Sequence, residues 1–261
     1  MSVIRQIFID LEQASPPTVG AEEEWDAGYT HRHKHSRHQF LYATKGVVHF
    51  ITDAGEWVLP PSRALWIPAQ TEHTYIVKKF ATTRILYIDS SAYPEMNTLP
   101  CMVVNVSPLI RELVAACAKF TWDYTVDSAE ARLAQVLMEQ LQAYDQAPVH
   151  LPLPADARAL KVVDILRNDL ANRESLEVLS KQAGASARTI ERLFLKETEL
   201  TFGTWRYRQR LLAALEYLAY GESITSIAFN IGYESPPSFV AAFRAMFGTT
   251  PGRYFKQNDN R

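Results

Sequence analysis

Cysteine is nearly absent from this chain of 261 residues: only Cys101 and Cys117 occur, and they do not form a Cys-x-x-Cys pair. That leaves no dithiol motif, and two free thiols suit a reducing, cytoplasmic setting. Long apolar runs are missing too. No stretch approaches the roughly 20 apolar residues that cross a bilayer, so no membrane partner is expected. The opening Met-Ser-Val-Ile-Arg-Gln-Ile-Phe-Ile-Asp lacks the apolar core of a secretory signal. Net charge is small as well, −2 from 27 Lys and Arg against 29 Asp and Glu. Any polyanion must therefore be held by a local basic stripe.

The charge is unevenly spread. Residues 155–261 hold 15 basic and 12 acidic side chains, and the remainder holds 12 and 17. The length allows two domains of ordinary size, and 47% hydrophobic content is normal for a globular protein. Pro148, Pro152 and Pro154 mark an extended linker over 147–155. The expected division is a first domain over 1–146 and a second over 156–261.

Near the end, residues 223–251 read as two short helices around a tight turn. Ser223 is placed to cap the first helix, and Ile224, Ile227, Ala228 and Ile231 share a face at helical spacing. Gly232 makes the turn, Ser235 caps the second helix, and Pro236 suits its first position. Phe239, Phe243 and Phe247 form its apolar stripe, and Gly248 stops it. A second copy of the layout lies upstream: Ser175 before Leu176–Ala183, Gly184 at the turn, then Ser186 capping a helix over about 188–197. Residues 202–219 connect the two copies as a helix. Each copy has the outline of a helix-turn-helix, whose second helix can lie in a DNA major groove.

This half resembles the DNA-binding domain of the AraC/XylS family of bacterial transcription regulators. The resemblance rests on Arg210-Leu-Leu-Ala-Ala-Leu-Glu-Tyr-Leu, Ile224 to Ala228, Gly232-Tyr233, Phe239, Phe243 and Phe247-Gly-Thr-Thr-Pro-Gly-Arg-Tyr254. It implies that the two recognition helices enter successive major-groove segments of a promoter. The residues expected to face DNA are Ser186, Arg188, Thr189, Arg192 and Lys196 on the first helix. On the second they are Ser235, Pro237, Ser238, Ala241 and Arg244. Arg206, Arg208 and Arg210 on the connecting helix are candidates for a phosphate stripe, with Arg208 the first choice, although such a run is often only a solvated face. Glu191 is expected to pair with a neighbouring cation before it reads a base.

The first half is different. Phe40–Ala43, Val47–Thr52, Glu56–Leu59, Ala64–Ile67, Thr74–Val77 and Arg84–Ile88 are short β-prone runs separated by turn residues, which predicts a β-barrel or jelly roll. Two helical patterns follow, Pro108 to Phe120 with Leu109, Leu113 and Ala116, and Ser128 to Tyr144 with Leu133, Val136, Leu137 and Leu141. They are expected to pack on the barrel, with pairing across a homodimer as the alternative.

Histidine carries the chemistry of this half. Four of the seven histidines fall in His31-Arg-His33-Lys-His35-Ser-Arg-His38. On a regular strand, His31, His33 and His35 share a face, and Gln39 joins them. The pattern His33, His35, Gln39 and Gly46, followed by Pro61 to His73, resembles the two cupin motifs. The resemblance implies a barrel in which His33, His35, Gln39 and His73 hold one divalent transition metal such as Zn, Ni or Fe. Gln39 departs from the usual glutamate and adds no charge. His31 and His38 are expected to be supporting or surface groups. Trp25, Tyr42, Phe50, Trp57, Trp66 and Tyr75 are candidates for an apolar pocket or for plain core.

The expected whole is a two-domain α+β protein: a cupin-like β-barrel followed by helices, then an all-α tandem helix-turn-helix domain. It implies a regulator whose barrel binds a small molecule, a metal, or both, and controls promoter binding. RNA polymerase is a further partner if it activates. The competing reading is a cupin metalloenzyme, a dioxygenase or isomerase, with an accessory helical domain.

Overall fold

A computed structural model of the protein describes residues 2–3, 14–141 and 147–255. The segment read for a secretory signal lies mostly outside the described residues, as does Tyr144, the expected end of the second helix. The chain divides into two compact units, the first closing at His150 and the second made chiefly of Leu151–Tyr254.

The first unit is a nearly closed antiparallel barrel. Its strands are β1 (Ser2–Val3), β2 (Thr18–Tyr29), β3 (His38–Gly46), β4 (Val48–Thr52), β5 (Gly55–Leu59), β6 (Arg63–Ile67), β7 (Thr74–Ile88) and β8 (Met102–Asn105). The long β7 organises it. Strand β2 runs along one edge from Thr18↔Ile88 to Tyr29↔Ile76, and the other edge is shared between β3 and β4. The sequence read β7 as two runs because Lys78, Lys79 and Phe80 face solvent in succession and break the alternation. Strand β2 was not expected at all. Its three consecutive glutamates and two glycines have low strand propensity, and pairing with β7 overrides it. Gly46 ends β3 at φ +69°, where a Cβ would meet the Phe80 carbonyl oxygen at 2.0 Å, so no other residue fits there.

Strand alternation sorts the barrel side chains. Phe40, Tyr42, Ala64, Trp66, Leu86 and Ile88 form the face covered by α1 (Pro108–Cys117) and α2 (Ala129–Leu141). The helices do pack on the barrel, as expected. They do so with Ile110, Leu113, Val114 and Cys117, and with Ala134, Leu137, Met138 and Leu141. Leu113, Leu137 and Leu141 face inward as expected, whereas Leu109 is 53% exposed and Leu133 and Val136 are 40% and 41% exposed. Tyr42 and Trp66 are thus helix-facing core and not pocket lining. The start of the proline-rich stretch is ordered, with the Val149 carbonyl accepting from Val58 N–H and His150 stacked on Trp57.

The second unit is all helical: α3 (Ala157–Asn168), α4 (Leu176–Gln182), α5 (Ala187–Thr198), α6 (Phe202–Ala219), α7 (Ile224–Asn230) and α8 (Pro236–Phe247). The expected caps at Ser186, Ser223 and Ser235 each accept a backbone N–H of the first turn, whereas Ser175 makes no such bond through its side chain. Gly232 takes φ +84° at the second turn, with Ala171 and Arg210 crowding the place of a Cβ. Trp205 is fully buried against Phe194 and donates from Nε1 to the Pro152 carbonyl.

Candidate metal centre and nucleic-acid interface

The histidine segment is not a regular strand. Residues 31–37 are irregular, with one isolated antiparallel bridge, His33↔His73. His33 and His73 exchange two backbone hydrogen bonds, 3.0 and 2.8 Å, and Gln70 N–H donates to the His35 carbonyl. Directly opposed residues project to the same face, which sets the His33 and His73 rings 4.4 Å apart. The i, i+2 relation brings His35 in beside them, 4.9 Å from His33 and 5.4 Å from His73. One nitrogen from each of the three lies within 4.8 Å of the others.

The hydrogen bonds set the tautomers. His33 Nδ1 lies 2.7 Å from the His31 carbonyl, and His73 Nδ1 lies 2.7 Å from the Thr71 carbonyl. A carbonyl only accepts, so both Nδ1 atoms carry the proton and both Nε2 atoms present a lone pair. The Nε2 atoms of His33, His35 and His73 are all buried without a hydrogen-bond partner. Burial pulls the basicity of all three down, His35 to about 4 and His73 to about 3, with mutual repulsion adding to the effect at both. The set is therefore held neutral, the form that binds metal. Three orphaned ring nitrogens in one buried place, two of them fixed as acceptors, fit a soft-to-borderline divalent ion, and a carbonyl behind Nδ1 is the usual support for a ligating imidazole.

Gln39 is fully buried on β3, but its Oε1 accepts the Tyr75 hydroxyl at 2.8 Å. The amide thus holds Tyr75 in place and does not supply the charged fourth ligand that a glutamate would. His31 supports the site through its carbonyl and not its ring. His38 is neither a surface group nor a ligand. It is buried, its Nδ1 accepts the Ala69 N–H at 2.9 Å, and its Nε2 lies 2.8 Å from Asn97 Oδ1. Phe50 and Tyr75 pack on the trio, 5.1 and 5.0 Å from His73, and Trp25 stands behind Tyr75, 5.5 Å from its ring. Tyr87, 5.4 Å from His35, belongs to that shell and was not picked out in the sequence. Another residue missed there is Glu23, a carboxyl that burial raises to about 7 and that weighs on Tyr75 and Tyr87.

In the second unit, Arg188, Arg192 and Lys196 stand exposed along one face of α5, joined by Leu195 at 55% exposure. The opposite face is Ile190, Leu193 and Phe194, all buried. On α8, Pro237, Ser238, Ala241 and Arg244 are exposed, and Phe239 and Phe243 are buried. Ser186 and Thr189 hydroxyls are bonded to each other at the α5 cap, as are those of Ser235 and Ser238 at the α8 cap. These hydroxyls fix the helix starts before they touch anything else. Among the described residues Glu191 pairs with no cation; it is half-buried, and its Oε1 accepts the Phe202 N–H at the start of α6.

The arginine stripe on α6 is mostly structural. Arg206 donates to the carbonyls of Asn172 and Glu174, and Arg210 to those of Leu170 and Asn172. Both tie down the α3–α4 loop. Arg208 is half-buried, with a buried Nε that has no partner. Among the described residues, no helix is long and apolar enough to cross a membrane.

A barrel joined to two helix-turn-helix units defines a DNA-binding transcription regulator with a ligand-binding domain. Comparison with known proteins agrees. The family model described as an AraC-like ligand binding domain matches residues 16–161, and a helix-turn-helix domain model matches 179–257. The chain belongs to the AraC family of transcription regulators. It is 32% identical to the HTH-type transcriptional regulator NimR of Escherichia coli over 222 residues, covering 85% of this chain and 81% of NimR. It is 39% identical to RipA of Corynebacterium glutamicum over 103 residues, 40% of this chain and 31% of RipA. Among solved structures, ToxT from Vibrio cholerae aligns over 93% of this chain and 99% of its own, at 10% identity and TM-score 0.40. The DNA-binding domain of AdpA in complex with a target DNA aligns over 39% of this chain and 93% of its own, at 27% identity and TM-score 0.37.

Proposed function

We propose that the barrel is a metal-dependent sensor and that its state sets the affinity of the helical unit for promoter DNA. The carrying observation is the three buried, unpartnered Nε2 atoms of His33, His35 and His73. A divalent ion such as Zn, Ni or Fe suits three neutral imidazoles and leaves coordination positions open, so an organic effector can complete its shell. Such an ion would supply a fixed positive charge to the site. Gln39 would hold Tyr75 beside it, and the aromatic shell of Trp25, Phe50, Tyr75 and Tyr87 would exclude water. The effector shifts DNA affinity only as far as it binds one conformational state better than the other.

On DNA, Arg188, Arg192 and Lys196 of α5 are the base and phosphate contacts, with Thr189 at their start and Arg208 on the backbone. The chain has no turnover of its own in this reading, in keeping with relatives named as regulators. The exposed Leu109, Leu133 and Val136 suit a homodimer, and RNA polymerase is the further partner of an activating form.

The experiment is metal content by mass spectrometry, on protein given excess Zn, Ni or Fe and then dialysed. One equivalent is expected in wild type and a strong loss in each of the His33→Ala, His35→Ala and His73→Ala variants. No metal in wild type, or a full complement in a His33→Ala/His35→Ala double variant, refutes the metal reading and leaves a barrel that takes organic ligands alone.

A further inference from the structure

The two recognition helices present different chemistry, and the difference predicts what each reads. On α5 the outward face carries three cations, Arg188, Arg192 and Lys196. On α8 the outward face carries Pro237, Ser238, Ala241, Arg244 and Ala245, with half-buried Val240 beside them. The Ser238 hydroxyl is tied to Ser235 in the cap. Arg244 lies in the last turn of the helix, far from the N-terminal end that meets base edges in a helix-turn-helix. The leading part of α8 therefore offers the major groove mainly carbon, with one hydroxyl, that of Ser238, already engaged in the cap.

We propose that α8 reads thymine methyl groups, with Pro237 and Ala241 as its specificity-determining contacts, so that the second half-site is T-rich while α5 selects guanine in the first. This rests on the assignment of α5 and α8 as the DNA-facing helices. The argument is one of matching. The C5-methyl of thymine is the apolar feature that a base pair presents in the major groove, and small apolar side chains are its complement. The other edges are donors and acceptors. Pressed against Ala241 or Pro237, those groups would lose water and gain no partner, which disfavours adenine, guanine and cytosine at the same position. Short side chains also let the α8 backbone sit close to the bases, and Arg244 remains available for a phosphate. On α5, by contrast, Arg188 and Arg192 can each address the paired acceptors of guanine.

The test uses full-length protein and a random-sequence DNA duplex pool, selected to its preferred site. In that site, thymines are replaced by uracil, which removes the methyl and nothing else. Each methyl facing α8 should cost about four-fold in affinity, from ~0.8 kcal/mol per buried carbon group. The loss should be confined to the half-site whose base preference survives Arg192→Ala. In a parallel arm, Ala241→Gln should move the preferred base opposite it from thymine to adenine, since glutamine pairs with the adenine edge. Uracil substitution that changes affinity less than two-fold, while Arg192→Ala still relaxes the other half-site, overturns the methyl reading alone. Selection of guanine or cytosine opposite Ala241 overturns it too. If wild-type protein enriches no sequence, or Arg192→Ala and uracil both leave binding unchanged, the assignment of the two DNA-facing helices falls with it.

Discussion

Acid should unfold the metal-free barrel through its histidine trio. His35 and His73 keep neutral rings because burial holds their proton affinity at about 4 and about 3, below the ordinary 6.5. Once unfolded, both rings regain that ordinary value. A depressed folded value means that the unfolded chain binds protons first, so stability is present above 6.5 and is lost as pH falls toward the folded values. Between pH 7 and pH 5 each ring should cost roughly 2 kcal/mol, while the Glu23 carboxyl, raised to about 7, takes up its proton in the folded state over the same range and offsets roughly one ring's share, so the net loss is about 2 kcal/mol. The assay is urea unfolding after chelation of metal, followed by tryptophan fluorescence. Four of the five tryptophans, Trp25, Trp57, Trp66 and Trp122, lie in the barrel unit, so the signal reports that unit. A His35→Gln/His73→Gln variant should lose the acid sensitivity, keeping only the opposite slope of Glu23. A wild-type midpoint that is flat from pH 7 to pH 5, or a double variant as acid-sensitive as wild type, refutes the argument. Added Zn or Ni should raise the wild-type midpoint at pH 7 and keep that effect at pH 5, since the folded rings of His35 and His73 stay neutral until about pH 4 and protons displace metal from their Nε2 atoms only below that.

Other outcomes follow from particular contacts. Arg192→Ala should lower affinity for the selected site by roughly 1–3 kcal/mol and relax preference at one base position, read by gel shift. Glu191→Ala should lower the unfolding free energy of the helical unit by about 1 kcal/mol, through the lost acceptor for Phe202 N–H, and leave base preference intact. His38→Ala should destabilise the barrel by about 1–2 kcal/mol, because it removes the acceptor of the half-buried Ala69 N–H, while metal content stays at the wild-type level. A loss of metal in that variant at temperatures where it is folded would place His38 in the site after all.

Much of the helical unit was legible in the chain. Caps, turn glycines and apolar spacing are local signals, and they located α4 to α8 with boundaries within a residue or two. Side-chain partners were not legible, because they depend on which element lies opposite. Glu191 caps α6, and Arg206 and Arg210 hold the α3–α4 loop, although all three read as surface charges. In the barrel the sequence by itself determined the strand-rich class, and the set His33, His35 and His73 was picked out by its resemblance to the two cupin motifs. It could not determine β2, whose glutamates disguise a strand that only pairing with β7 stabilises. Nor could it determine why the trio converges. The expected regular strand is absent, and the three rings meet because an isolated bridge opposes His33 and His73 across a break in the sheet. The same tertiary contacts turned His38 toward Asn97 and Ala69 and gave Gln39 to Tyr75. Local pattern fixes which residues are present and what each can bond, and only long-range pairing decides which of those bonds are made.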